Sequence, residues 1–487
     1  MIPGTFPFAT LKKTRSSGHV IEGSGLFNGS ANFLTRTTNS SPTSETIGTF
    51  EFIIKRAGLG AVNADQVIIE AGDGTSNRGI ISFNGSTDNL RILQKVSGST
   101  TLNIQLTAVW RDLSAYIHCV VALDSSQSGT NKCKIYFNGV QQTDFSSSTA
   151  TATGNLIFFD GSETQEISKR PENSSGYLNA YISRICMIDG QALAPTDFGE
   201  VTDDGFWQIN DASGLTFGTN GFLLEGGTNV AAGTDSSGNS NSFTKSGTIT
   251  ATNDSPTDDA DNEYGNYCTF SPLAIDPTTT QAFSNGNLTC GITQSDQNVQ
   301  GTIFFDPEDT DGYYFEVTLN TDAGNSGIGL ARMFKQADSN GAPNLFMYQD
   351  NGYAYPFGGG SDSSVNSYTS GDVIGFFVRG GKIWFHKNGT YEASGNPNAD
   401  SNPYESGITG SITVALAQGQ STGTAVYTLN TGQSSYAHTP PTNAKKIATH
   451  NLPEPAVANY EDEYYIGIDI SHTNGSTTAV TIPFDLD

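Results

Sequence analysis

The residue types that carry chemistry are present in this chain, but their spacing gives them little to act with. Six histidines, at 19, 118, 386, 438, 450 and 472, stand far apart, and none belongs to an HExxH or HxH arrangement that would set two imidazoles on one metal. A lone histidine on a strand, such as His118 or His386, reads as structural, and no serine nucleophile is expected. Two acidic clusters, Glu308-Asp309-Asp311 and Glu461-Asp462-Glu463, lack the alternation that would place paired carboxylates on one strand face, so they read as solvated turns. The stretch DPEDTDG has the look of a calcium loop, but Pro307 takes its first ligand position and Thr318 the place of the bidentate acid. A calcium site of scattered Asp and carbonyl groups stays open, with no residues assigned to it. Five cysteines (119, 133, 186, 268 and 290) without a CxxC spacing read as buried thiols, with Cys119 and Cys133 as the one pair that a bridge could join.

Binding chemistry is better represented. MYQDNGYAYPFGGG, from position 347, sets Tyr348, Asp350, Asn351 and Tyr353 around an Asn-Gly turn, and aromatic faces beside amide and carboxylate groups suit a sugar ring. If this stretch is a loop at one rim, Tyr348, Asp350 and Asn351 face solvent. The alternation of Tyr353, Tyr355 and Phe357 is equally the pattern of a strand filling a core.

Such a loop needs a rigid scaffold, and the rest of the chain describes one. With 487 residues, 55 glycines and 15% charged residues, the chain has the makings of several domains with many tight turns and few helices. Twenty-eight Phe and 19 Tyr supply the core. Short β-branched and aromatic runs are separated by Asn28-Gly29, Asp73-Gly74, Asn84-Gly85, Asn138-Gly139 and Asp160-Gly161, which predicts antiparallel sheets stacked as a sandwich. The segment 175–222 closes this first unit: an apolar run from Tyr177 to Ile188, then a turn of helix with Pro195 at its start and Gly199 at its stop. From there to 261 Gly, Asn, Ser and Thr dominate, and the few anchors (Phe206, Trp207, Phe217, Phe222, Leu223, Leu224, Phe243) cannot make a core of their own. A second set of strands follows. In it Val373, Gly375 and Phe377 alternate with Ile374, Phe376 and Val378, a run apolar on both faces that suits a central strand. The expected fold class is therefore all-β, two antiparallel β-sandwiches with domains at 1–200 and 262–446, a connector at 201–261 and an extension at 447–487. In that extension YYIGIDIS and TAVTIPFDL fit one hairpin, too little to stand alone.

A formal charge of −26 disfavours nucleic acid as a partner. No run of 18 apolar residues is present for a membrane span, and the first residues lack the pattern of a signal peptide, so folding in a cytoplasm is expected.

Three resemblances bear on function. RDLSAYIHCVVALD, CKIYFNGVQ and GYLNAYISRICMIDGQAL resemble the laminin-G-like, concanavalin A-type jelly roll, with Tyr116 where that family usually has Trp. The pieces at 313–317, 327–331, 371–375, 384–389 and 430–433 resemble the recurring motifs of the SPRY domain. GTNGFLLEGG, DSSGNSNSFTKSG, NDSPTDD with NYCTFSPL, and the later NLPEP resemble the connector and tail of phage and prophage virion proteins, including tail-fibre types. These resemblances imply a virion structural protein, a tail fibre, spike or appendage component, that mediates adhesion or assembly without catalysis. Host-surface glycan or protein and other virion proteins are its implied partners, and a homotrimer its implied assembly. A capsid decoration or head-fibre protein and a polysaccharide depolymerase are the alternatives. Neither metal nor cofactor is required by any motif.

Overall fold

The structure, a computed structural model, describes residues 18–60, 64–171, 175–202, 205–259, 261–275, 281–293, 297–332, 344–361, 365–418 and 423–452. The apolar run beginning at Tyr177 becomes the strand Asn179–Asp189, buried over nearly its whole length. Ile47–Arg56 pairs along one side of it, and Ser24–Asn28 and Phe222–Glu225 share the other. A bulge between Ile182 and Arg184 resets the two-residue alternation. Ala180 and Ile182 before it, and Ile185 and Met187 after it, therefore all reach the same core, while Cys186 and Ile188 pack on the outer face.

Two sheets enclose that core. One runs Val140–Gln142, Cys133–Phe137, Ile117–Asp124, Ile47–Arg56, Asn179–Asp189, Ser24–Asn28, Thr250–Thr252. The other runs Phe145–Ala150, Ser99–Val109, Asn89–Val96, Arg78–Phe83, Gln66–Gly72, Thr164–Ile167, Phe33–Thr37, Thr244–Ser246. Phe50 and Phe52 from the first meet Ile69, Ile81 and Ile92 from the second, with Phe50 stacked on Phe159 at 5.5 Å.

The segment expected as a connector is built into this sandwich. Thr244–Ser246 and Thr250–Thr252 form the outermost strand of one sheet each, and Phe222, Leu224, Phe243 and Ile249 join the core. Its edge strands carry mostly exposed polar residues, so they lack the apolar alternation that marks an inner strand. The helical turn is a 3₁₀ helix, Pro195–Asp197, followed by the strand Gly199–Val201.

The second sandwich repeats the plan. One sheet runs Phe270–Ile275, Gln297–Gly301, Ile412–Gln418, Ser326–Arg332, Leu345–Gln349, Ala354–Tyr355; its partner runs Ala282–Ser284, Thr289–Ile292, Ala425–Asn430, Tyr313–Thr321, Val373–Arg379, Lys382–Lys387, Thr390–Tyr391. Val373–Arg379 is central, as its two apolar faces require, with Phe376 stacked on Phe315 at 5.3 Å inside and Phe377 beside Trp384 outside. The fold is all-β, and the named strands pair antiparallel throughout.

Largely buried polar groups join the two units. Lys55 Nζ lies 2.6 Å from Asp254 Oδ2 and 2.8 Å from Asn266 Oδ1, and both charged side chains are buried. Tyr116 donates to Asp254 as well, and the Lys55 ammonium lies 4.6 Å from the Tyr181 ring centroid. Tyr181 in turn donates to the carbonyl of Gly286, from the second unit, at 2.8 Å. Gly286 sits at φ 64°, and a Cβ there would fall 2.1 Å from the Tyr181 hydroxyl, so a side chain is excluded on both counts.

All five cysteines are buried thiols. The bridge considered between Cys119 and Cys133 is not formed, because Cys119 pairs with Phe137 and Cys133 with Leu123, a register that separates the two along the sheet. The expected C-terminal hairpin and the Glu461-Asp462-Glu463 cluster lie outside the described residues.

Candidate functional site

Strand Leu345–Gln349 and the turn after it hold all the residues singled out for binding. The strand is buried on both faces, because Ser326–Arg332 and Ala354–Tyr355 flank it while Phe346 and Tyr348 enter the sandwich core and Leu345 and Met347 pack outside. Tyr348 is thus fully buried, contrary to the expectation of a solvent-facing ring. Its ring lies 4.7 Å from both Tyr368 and Phe385, and its hydroxyl donates to the carbonyl of Asn366. Asp350 is also buried, at 7% exposure. Asn351 and Tyr353 are exposed, Tyr353 by 40%, with Tyr355 stacked on it at 6.3 Å. Phe357 is half-buried, 6.2 Å from Phe346. The phase of exposure is therefore the reverse of that expected: the aromatic before the turn is core, and the one just after it is surface.

Tyr348 still bears on a site from below. Asn366, whose carbonyl its hydroxyl reaches, and Glu392, 3.5 Å from the same hydroxyl, line an open groove of about 460 Å³ with Ser367, Lys387, Asn388 and Thr390. Hydrogen bonds brace these walls. The Asn366 amide donates to Glu392 Oε2 at 3.0 Å, Lys387 donates to the Ser367 carbonyl at 2.8 Å, and Asn388 spans Asp372 at 2.7 Å and the Val373 N–H at 2.8 Å. The turn bearing Asn351 and Tyr353 abuts the groove: Gly352, at φ 84°, lies so close to 365–367 that a Cβ would be 2.9 Å from the Val365 carbonyl. The groove offers amide, ammonium, hydroxyl and carboxylate groups held in fixed positions.

Beneath the turn, Asp350 hydrogen-bonds to Asp322, which sequence reading did not single out because the two stand on different loops. Burial, and then the bond to Asp322, push the Asp350 carboxyl up to about 7. Burial works against the Asp322 charge too, yet its bonds from Asp350, the Gly324 N–H and the Ser326 hydroxyl prevail and hold that carboxyl below its usual range.

A second groove, of about 450 Å³, opens on the first sandwich with Asn77, Gln94, Asn155, Asp160 and Glu163 in its lining. The Asp160 and Glu163 carboxyls are raised, first by burial and then by Glu45 acting on Asp160 and by Asp160 and Asp73 acting on Glu163.

His118 and His386 are structural. His118 accepts from Trp207 Nε1 at 2.8 Å on Nδ1, leaving Nε2–H to face Glu51 at 3.0 Å. His386 Nδ1 accepts from the Gly389 N–H at 3.1 Å, so its Nε2–H donates to Tyr314 at 2.8 Å, whose hydroxyl donates to Glu316 at 2.8 Å. Asp309 in DPEDTDG takes N–H donors from 311 and 312 and pairs with Lys445 at 2.7 Å, a closed turn. Gly419-Gln420-Ser421-Thr422-Gly423 matches Gly-x-Ser-x-Gly, against the expectation that the sequence offers no serine nucleophile. It joins strands Ile412–Gln418 and Ala425–Asn430, not a strand to a helix, so a nucleophile elbow lacks its context; residues 419–422 lie outside the described ones. Among the described residues no cluster of three His, Cys, Asp or Glu is placed to hold a metal, and no helix is long and apolar enough to cross a membrane.

No protein-family model and no curated protein matches the sequence. Among solved structures, the SPRY domain of human HERC1 is similar at 13% identity and a TM-score of 0.27, covering 33% of this chain and 96% of that one. Mouse laminin alpha1 chain, domains LG4-5, is similar at 9% identity and a TM-score of 0.32, covering 90% and 87%. A heptameric SAP-like pentraxin from Limulus polyphemus is similar at 13% identity and a TM-score of 0.27, covering 36% and 80%.

Proposed function

We propose that this chain is a non-catalytic binding protein that takes a hydroxyl-rich ligand, a surface glycan by chemical class, in the groove beside Asn351 and Tyr353. The observation that carries this is the braced polar lining at 366–367, 387–388, 390 and 392, with Tyr353 exposed on the adjoining turn and stacked on the half-buried Tyr355. Fixed amides and carboxylates match sugar hydroxyls, and an aromatic face matches the C–H side of the ring. The resemblance of the 218–273 segment and of NLPEP to phage virion proteins supports placing the chain in a tail fibre, spike or other appendage, assembled in the host cytoplasm as a homotrimer with other virion proteins and binding host-surface glycan. No organic cofactor enters this reading.

The test is adsorption of labelled protein to host cells and to their purified polysaccharide. Ser367→Trp, which fills the groove from an exposed position, and Tyr353→Ala are expected to lower adsorption at least tenfold at unchanged melting temperature. Unchanged adsorption in both would sink the assignment of the groove. A second reading, a depolymerase, is favoured by one observation alone: the raised carboxyls of Asp160 and Glu163 in the other groove. Release of reducing sugar by the purified protein, abolished by Asp160→Asn or Glu163→Gln, would establish it.

A further inference from the structure

We propose that Lys55 and Asn266 become joined by an intramolecular isopeptide bond, with Asp254 as the general base, a covalent modification that locks the two units together. The three side chains converge on one point. Lys55 lies on strand Ile47–Arg56, while a parallel bridge between Asp254 and Gly265 sets Asp254 and Asn266 side by side. The Lys55 Nζ is 2.6 Å from Asp254 Oδ2 and 2.8 Å from Asn266 Oδ1. The Asn266 Cγ stands one carbonyl bond, about 1.23 Å, beyond that oxygen and so within about 4 Å of Nζ, from which a small side-chain shift reaches attack distance. The other partners hold both acceptors in place. Asn266 Nδ2 donates to the Ser114 carbonyl at 2.7 Å and its backbone N–H to Thr449 Oγ1 at 3.0 Å, while the Tyr116 hydroxyl donates to Asp254 Oδ1 at 2.7 Å and leaves Oδ2 to the amine.

A buried ion pair needs only the lysine and the acid; the amide carbonyl on the same ammonium supplies the electrophile. Lys55 and Asp254 are each 1% exposed, and the Tyr116 and Tyr181 ring centroids lie 5.3 and 4.6 Å from Nζ. Burial, against the pull of Asp254, lowers the Lys55 pKa, and burial, against the pull of Lys55, raises that of Asp254. Both shifts favour passing the proton from Nζ to Oδ2, which leaves a neutral amine as nucleophile. That amine attacks Asn266 Cγ, and Asp254 hands its proton to Nδ2 and takes one from the attacking nitrogen. The Nζ–Cγ bond forms as the Cγ–Nδ2 bond breaks, and Nδ2 departs as ammonia, carrying the one surplus proton as ammonium. Neither oxidant nor co-reactant is required, and the event happens once per chain, with no turnover. It also removes the buried lysine charge that the site must otherwise hold. Asn266 is half-buried, which gives the ammonia a way out.

The reaction is independent of the ligand proposed for the groove. The folded full chain is measured by intact mass and by tryptic mapping under denaturing conditions, as wild type, Asn266→Ala, Lys55→Met and Asp254→Asn, with circular dichroism to show which variants fold. Asn266→Ala changes a half-buried position and keeps the Lys55 and Asp254 pair, so its fold is expected to be unchanged. Wild type is expected to be lighter than its sequence by one ammonia and to yield a branched peptide holding Lys55 and Asn266. It should also run faster than the variants on a denaturing gel, since the link joins residues 211 apart. All three variants are expected at full mass with no branched peptide. A folded wild type of full mass, without that peptide, overturns the proposal, and a link retained in folded Asp254→Asn overturns the assignment of the base.

Discussion

Replacing Asp350 by Asn in metal-free buffer should make this protein more stable, and increasingly so as the pH rises. The side chain keeps its shape, and an Asn amide pointing toward Asp322 supplies the proton that the carboxyl pair otherwise shares. Asp350 carries a folded-state carboxyl near 7 against an ordinary 3.8. The unfolded chain releases this proton at lower pH than the folded one, so the stability tied to it is complete below about pH 4 and is lost as the pH rises toward 7. Taken at face value the displacement is worth roughly 4 kcal/mol at pH 8, and solvent screening at a loop rim reduces it to about 2. For a sandwich of this size that is roughly 4–8 °C in melting temperature. Thermal unfolding of wild type and variant in EDTA, from about pH 4.5 to 8, should show curves that meet at the acid end and separate at the alkaline end. A variant that is less stable throughout, or a gap that does not widen with pH, would show that the two carboxyls do not repel.

Tyr348→Phe should cost roughly 1–3 kcal/mol in urea unfolding, since it strips the Asn366 carbonyl of its buried donor, and Tyr348→Ala roughly 3–5. Lys55→Met should cost roughly 3–5 kcal/mol by stranding Asp254 between the sandwiches, and calorimetry should then resolve two transitions; adding Asp254→Leu should recover much of the loss. His386 and His450 are held near 4, each chiefly by burial, so the folded state resists protons that the unfolded chain accepts from about pH 6.5. Stability is complete above that pH and falls as the pH drops toward 4, by up to about 3 kcal/mol for each group, and His386→Gln should flatten this acid limb.

How much of this was legible depended on whether a feature was local. Glycine turns and two-sided apolar runs such as Val373–Arg379 announce inner strands, and they led to the two sandwiches. Strand Leu345–Gln349 was harder, because apolar residues on both faces leave no phase from which to tell Tyr348 from Tyr353. The polar strands Thr244–Ser246 and Thr250–Thr252 were invisible, since their pairing is specified by the edges they cover. The Asp322 and Asp350 contact has no signal in one sequence, being made by the meeting of two loops.

Those two edge strands also bear on how the protein is made. Ser24 pairs with Thr252 across 228 residues of chain, so the first sandwich stays incomplete until more than half of the 487-residue protein has left the ribosome. Until then Ser24–Asn28 and Phe33–Thr37 present bare ladders of N–H and C=O groups to other nascent chains. A fragment cut at residue 200 would keep most of the core and lose both of these covers, so its failure in expression would be aggregation through open edges, with little loss of secondary structure. Expressed to residue 259, the same sandwich should remain in solution.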